Sequence, residues 1–275
     1  MLQYGTLTYG HQLSNTARGV AKVLTTKRYL AIHSYVSRTV LQWAHQLTHL
    51  PTMDGSIFKS YDIRGIYPSE LDEDAAYRIG RAYIAQTGAH SIAVGRDNRP
   101  SSDSLFKAFT RGAREQGADV IDIGIVTTPM VYFAAGSLPV EGVVSLTASH
   151  NPPEYNGFKL NRAGAVPIGA GSGMEEIAAL AERNRFEDIE RMGSIEEMDI
   201  STGYIDHVVS YADLDDAHLA VVIDPANAVG VLELPVFKKL AANVDMTVIN
   251  EKLDPSFPNH EANPLKTETL DQLTE

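Results

Sequence analysis

Cysteine is absent from the 275 residues, which excludes a disulfide framework, a thiolate nucleophile and a cysteine-ligated metal. No apolar run approaches the roughly 18 residues that a membrane-spanning helix needs. The nine histidines form no H-E-x-x-H pattern, so zinc chemistry is not expected. Acids are missing from the first 53 positions, which hold five cations, Arg18, Lys22, Lys27, Arg28 and Arg38. A chain of net charge −12 therefore has a remainder at −17. An acidic body argues against a general nucleic-acid-binding surface, and any anionic ligand would need local cations. No continuous apolar stretch follows Met1, so a secretory signal is not evident. A cytoplasmic setting, with neither nucleic acid nor membrane as partner, is the expectation.

What remains is ordinary globular material, 44% hydrophobic and 21% charged, long enough for two domains. Residues 1–52 look foreign to the rest. They are rich in Ser, Thr, His and Gln, and read as a disordered or non-native extension with Met53 as the working start. An organelle transit peptide is the alternative. Within them Tyr29, Ile32, Val36, Val40 and Trp43 recur at helical spacing between Leu24 and Leu50.

After Met53 helices and strands alternate. Asp72–Thr87 carries acids in its first turn and an apolar face of Ala76, Ile79, Tyr83 and Ile84 before Gly88, which predicts a capped helix. Ser91–Gly95, Asp119–Val126 and Gly142–Leu146 read as strands, and helices are expected from Ser101/Ser102 to Arg114, Thr127 to Ala135 and Met174 to Asn184. The charged stretch Phe186–Asp199 suits a connection. The pattern restarts with helix Thr202–Ala212, strand Leu219–Asp224, helix Leu232–Ala241, strand Val244–Ile249 and a helix start at Leu265–Leu273. The class is a layered, mixed α/β domain over 53–190, with a second, incomplete α/β domain of similar type over 200–275. An unfinished second domain is expected to expose a sheet edge or apolar face.

The chemistry concentrates in Thr147-Ala-Ser-His-Asn-Pro-Pro-Glu-Tyr-Asn-Gly-Phe-Lys-Leu160, a turn-rich run that follows an apolar strand. A plain surface turn needs only its Pro and Gly residues. A Ser149–His150 hydrolytic dyad is disfavoured, because neighbours in an extended segment point to opposite sides and G-x-S-x-G is missing. A phosphoryl group on Ser149 would add about −1.5 to −2 charge and need donors nearby. His150, Asn151 and Lys159 are within ten positions, and Pro152 and Pro153 stiffen the backbone.

Four ordered motifs carry a resemblance. Thr147-Ala-Ser-His-Asn-Pro152 with Tyr155-Asn-Gly-Phe-Lys159 resembles the phosphoserine loop of the α-D-phosphohexomutases. Phe58-Lys-Ser-Tyr-Asp-Ile-Arg-Gly65 resembles that family's first signature, and Gly95-Arg-Asp-Asn-Arg-Pro-Ser101 its second. Phe257-Pro-Asn-His260 and Asn263-Pro-Leu-Lys266 resemble its second domain. The Gly-Phe-Lys ending is similar to the phosphomannomutase/phosphoglucomutase branch.

The resemblance implies interconversion of hexose 1-phosphate and hexose 6-phosphate through a phosphoserine and a hexose 1,6-bisphosphate. Ser149 would carry the phosphoryl group, Arg64 and Lys159 would assist proton transfer and hold charge, and His150 would contact the loop and substrate. Asn151 and Tyr61 would bind substrate. Arg64 stays protonated, so its electrostatic role outweighs acid–base work, and its plain alternative is an ion pair with Asp62. The family's Mg²⁺ would rest on the Ser149 phosphate and on a D-G-D-x-D-R loop that is not found here. Asp213-Leu-Asp-Asp216 reads as a solvated turn instead, and Gly169-Ala-Gly-Ser-Gly173 as a lead-in to a helix. The metal loop and two further domains are expected beyond Glu275, which makes the chain an inactive N-terminal fragment on this reading. The rival class is a non-catalytic sugar-phosphate-binding or regulatory protein that retains the loop.

Overall fold

A computed structural model describes residues 53–274 apart from 188, 215, 216 and 241. The expectations for residues 1–52 and for two positions of the 213–216 turn lie outside the described residues.

The sheet that organises residues 63–197 has seven strands: β1 (Ile63–Ile66), β2 (Ser91–Arg96), β3 (Asp119–Ile125), β4 (Gly142–Leu146), β5 (Tyr155–Arg162), β6 (Val166–Pro167) and β7 (Ile195–Glu197). Their order is β1-β5-β4-β2-β3-β7, with β6 on β5. The pairs β4–β2, β2–β3 and β3–β7 are parallel, whereas β5 runs antiparallel to both β4 and β1. Alternate residues of each strand serve opposite faces. Ile92, Val94, Val144 and Leu146 enter one core, while Ala93 and Val143 enter the other. The first core is closed by α1 (Glu73–Thr87), α2 (Ser102–Glu115) and α4 (Met174–Arg183). The second is closed by α3 (Thr128–Ser137) and α5 (Ser201–Val209). Helices on both faces of one sheet make three layers.

Local chemistry sets the helix ends. Asp72 caps α1 by accepting from the Ala75 N–H at 2.8 Å, and Gly88 ends the helix in the left-handed region at φ 68°. Ser101 makes no capping bond to α2, contrary to expectation: its backbone is helical (φ −87°, ψ −9°) rather than extended, and its hydroxyl accepts from Asn156 Nδ2 at 2.9 Å. Helices α1 and α2 cross at reciprocal glycines. A Cβ on Gly80 would collide with the Phe109 carbonyl, and one on Gly112 with the Tyr77 carbonyl. Gly112→Ala is therefore expected to destabilise the domain by about 1–3 kcal/mol despite its better helix propensity. Denaturant unfolding checks this, and a stabilised variant would contradict the close crossing.

The sequence patterns did not predict β1, β5, β6 or β7. In β5 the buried positions include Asn156 and Asn161, which interrupt the apolar signal. They are tolerated because Asn156 Nδ2 bonds the Ser101 and Ser102 hydroxyls at 2.9 and 3.1 Å. The short β7 falls inside the stretch expected to be a connection.

Beyond residue 200, β8 (Leu219–Ile223) and β9 (Val244–Val248) form a parallel two-stranded sheet. The expected helix at Leu232–Ala241 is a 3₁₀ segment, Val229–Glu233, running into α6 (Leu234–Lys239). The Leu265–Leu273 start becomes a 3₁₀ turn, Thr267–Leu270, and a short α7 (Asp271–Thr274). Leu219 and Val222 of β8, on opposite faces of the strand, are both exposed. No helix among the described residues is long and apolar enough to cross a membrane.

Candidate functional site

The loop between β4 and β5 begins at the C-terminal end of β4, next to the end of β2. Ser149 is exposed and sits at φ 57°, so it is not extended. That overturns the opposed orientation expected for Ser149 and His150, which assumed extended backbone. Ser149 Oγ lies 3.3 Å from His150 Nδ1. Among the described residues no carboxylate bonds the other His150 nitrogen, so a hydrolytic triad is not assembled.

Behind the loop Arg64, Asp62, Lys159 and Asn151 form one network. Arg64 Nη2 donates to Asp62 Oδ2 at 2.5 Å, and Lys159 Nζ to the same oxygen at 3.4 Å. Arg64 Nη1 donates to Asn151 Oδ1 at 2.7 Å. Antiparallel register explains the gathering: β1 pairs with β5, which sets Arg64 opposite Gly157 and Ile63 opposite Phe158. A Cβ on Gly157 would collide with the Ile63 carbonyl, so the glycine is what lets β1 approach. The ion pair weighed as Arg64's plain role is thus present, and it leaves the guanidinium joined to the loop as well. Tyr61, which precedes Asp62 in the chain, is 85% exposed.

Sequence patterns missed the support beneath the loop. Arg99 is buried, and its guanidinium donates to the carbonyls of Ser149, Asn151, Pro152 and Tyr155. Asp97 accepts from Arg99 Nε at 3.0 Å and from Ser102 Oγ at 2.6 Å. Burial pulls the Arg99 pKa down, against the raising effect of Asp97. The signal was legible only as a motif, because the roles depend on which carbonyls face inward.

A cavity of about 400 Å³ opens in front of Ser149. Asn98, Ser149 and His150 line one side, and Asp224, Phe257 and His260 the other. Asn98 Nδ2 donates to the Asn227 carbonyl at 3.1 Å, and Thr127 Oγ1 to Glu233 Oε1 at 2.6 Å, which ties the two sides together.

At the far wall His260 Nε2 lies 2.8 Å from Asp224 Oδ2, and its Nδ1 lies 2.9 Å from the Glu261 carbonyl. These two acceptors favour a proton on each ring nitrogen, against the Asn250 Nδ2 donor at a longer 3.4 Å from Nε2. Burial lowers the His260 pKa, but the Glu261 carbonyl and Asp224 outweigh it and leave the ring above its ordinary 6.5. Burial raises Asp224, and the Ala226 N–H, His260 and Asn250 outweigh it and hold the carboxyl below its ordinary 3.8. The His260 contribution is present below 6.5 and fades as pH rises through its raised value. The Asp224 contribution is present above 3.8 and fades as pH falls through its lowered value. His260→Gln is therefore expected to cost more thermal stability at about pH 5.5 than at about pH 8.5. An equal cost at both would show that the ring is not charged in the folded protein.

No group of three or more His, Asp or Glu side chains stands together as a metal site among the described residues. Asp62 and Asp97 are each committed to a cationic partner, and Asp224 to His260. These residues do not by themselves form the hard-cation site that Mg²⁺ takes.

Fold and site place the chain in the class of layered α/β/α proteins with a serine loop at the strand ends of a mixed sheet. Residues 55–188 match the family model for phosphoglucomutase/phosphomannomutase alpha/beta/alpha domain I, and 202–275 the model for domain II. The chain belongs to the phosphoglucomutase/phosphomannomutase family. It is 41% identical over 220 residues to a phosphoglucomutase of Neisseria gonorrhoeae, a match spanning 79% of the chain and 47% of that protein. It is 42% identical over 219 residues to a phosphomannomutase of Escherichia coli, spanning 77% and 48%. A solved phosphoglucomutase/phosphomannomutase family protein from Burkholderia thailandensis superposes with TM-score 0.72 at 35% identity, covering 80% of this chain and 49% of that one. The chain spans about half the length of the curated relatives it matches.

Proposed function

We propose that Ser149 is the phosphoryl donor of a phosphohexomutase acting on mannose and/or glucose phosphates. The observation that carries this reading is an exposed serine at φ 57° on a loop joined to a two-cation network. In the first half-reaction the bond from phosphorus to Ser149 Oγ breaks and a bond to a sugar hydroxyl forms. The proton lost by that hydroxyl ends on Ser149 Oγ. The resulting hexose 1,6-bisphosphate returns its other phosphoryl group to Ser149, and the net change is a 1,6 migration.

Such transfer depends chiefly on positioning and electrostatic stabilisation. Arg64 cannot act as a base, so its part is to hold charge on the transferring oxygens. Lys159 is the group in the network able to carry a proton, with Asp62 orienting it. His150 borders the cavity beside Ser149, and Asn151, bonded to Arg64, offers the substrate an amide. Tyr61 reaches substrate only from the solvent side. Mg²⁺ on the Ser149 phosphate would neutralise developing charge, with its remaining ligands from outside the described residues. Complete turnover on this reading needs groups found in the other half of the relatives' length.

Intact-mass and peptide-mapping mass spectrometry on protein from the native host tests the reading. One phosphoryl group on Ser149 is expected. Unmodified Ser149 would favour the non-catalytic binder, and robust mutase turnover by the isolated 275 residues would overturn the claim that further groups are needed.

A further inference from the structure

We propose that Arg99 is a positioning residue for phosphoryl transfer, holding Ser149 in the backbone conformation that presents its hydroxyl, with Phe257 closing over it. The proposal rests on the reading of Ser149 as phosphoryl donor.

A guanidinium has five N–H donors in a rigid fork. In Arg99 all five have acceptors. Nη2 donates to the Ser149 carbonyl at 2.9 Å and the Asn151 carbonyl at 2.7 Å. Nη1 donates to the Pro152 carbonyl at 2.5 Å and the Tyr155 carbonyl at 3.0 Å, and Nε to Asp97 Oδ2 at 3.0 Å. The side chain is 1% exposed, so water cannot substitute for these bonds. The Pro152 carbonyl also accepts from the Tyr155 N–H at 3.1 Å, but loop carbonyls turned inward without their Arg99 donors would be costly, and a loop left to itself would turn them to solvent.

The effect converges on Ser149. Its N–H donates to Thr147 Oγ1 at 2.9 Å and its carbonyl accepts from Arg99, so both backbone polar groups are fixed. A non-glycine residue at φ 57° persists only when its surroundings over-determine it. With the backbone held from both sides, the hydroxyl is the remaining polar group of a residue that lines the cavity. Arg99 itself is anchored to the sheet: Asp97 Oδ1 accepts from the Arg99 N–H at 3.1 Å, and the Asp97 N–H donates to the Leu146 carbonyl at 3.0 Å. The loop therefore moves with the ends of β2 and β4.

Phe257 comes from the other wall of the cavity. Its ring centroid is 5.7 Å from Arg99 Cζ, within the range of cation–π attraction. Phe257 is itself buried, so the ring helps to exclude water from the guanidinium.

The test uses the protein at its natural length, Arg99→Lys in that protein, and a hexose 1,6-bisphosphate as phosphoryl source. Lysine keeps the charge but has three donors and no fork. Thermal unfolding is followed in parallel. Arg99→Lys is expected to leave β2 and β4 protected from amide exchange and to speed exchange in residues 147–157 at least ~10-fold. It should also slow Ser149 phosphorylation by ~10²-fold, the scale set by an ångström of misplacement. A stable Arg99→Lys chain phosphorylated at the wild-type rate overturns the role of Arg99 alone. A wild-type chain that takes up no phosphoryl group overturns the donor reading and the proposal with it. Should Arg99→Lys fail to fold, Phe257→Leu decides: faster exchange in 147–157 and slower phosphorylation support the proposal, and unchanged values sink it.

Discussion

Ser149→Ala is expected to abolish phosphoryl uptake from a hexose 1,6-bisphosphate and to lower the proposed mutase turnover by roughly 10⁴-fold or more, the scale for losing a covalent nucleophile. The substitution removes the oxygen that forms and breaks the bond to phosphorus. Little else in the loop depends on that oxygen, because Thr147 and Arg99 hold the Ser149 backbone rather than its side chain. The Ser149 Oγ contact to His150 is long at 3.3 Å, so its loss should cost little stability. Intact mass before and after incubation, with peptide mapping, reads the result. Uptake by Ser149→Ala equal to wild type would move the donor elsewhere and end the proposed mechanism.

Removing either network cation should slow transfer by about 10²–10³-fold, the range for deleting one preorganised charge donor. Arg64→Ala takes away the bonds to both Asp62 and Asn151. Asp62 keeps Lys159 as a partner in that variant, so the carboxylate is not left buried and alone. Lys159→Ala spares the stronger Arg64 pair in the same way. Each single variant is therefore expected to fold and to fail in rate. The two cations share one carboxylate, so their effects should not add, and a double-mutant cycle measures the coupling. Single variants within a few-fold of wild type would show that the network is structural only.

How much of this was legible in the sequence can be judged element by element. Helix α1 was readable because its cap, first-turn acids, apolar face and terminal glycine all agree. Strand β5 was hidden because Asn156 and Asn161 occupy buried positions that periodicity expects to be apolar. Their partners include Ser101, Ser102 and the Val143 carbonyl, which are distant in sequence. The arrangement of Ser149 and His150 was misjudged for a related reason, since spacing assumes extended backbone and the residue stands at φ 57°.

The sequence by itself determined the chain's alternating α/β order, its lack of thiol chemistry and the four motifs that mark its family. Those are properties of residue type and spacing, which local chemistry expresses before anything packs. Only the tertiary structure decided that Asp62 would join Arg64 to Lys159, and that the five donors of Arg99 would meet Asp97 and four carbonyls of the serine loop. A carbonyl is the same group in every residue, so its partner is chosen by where the sheet places it.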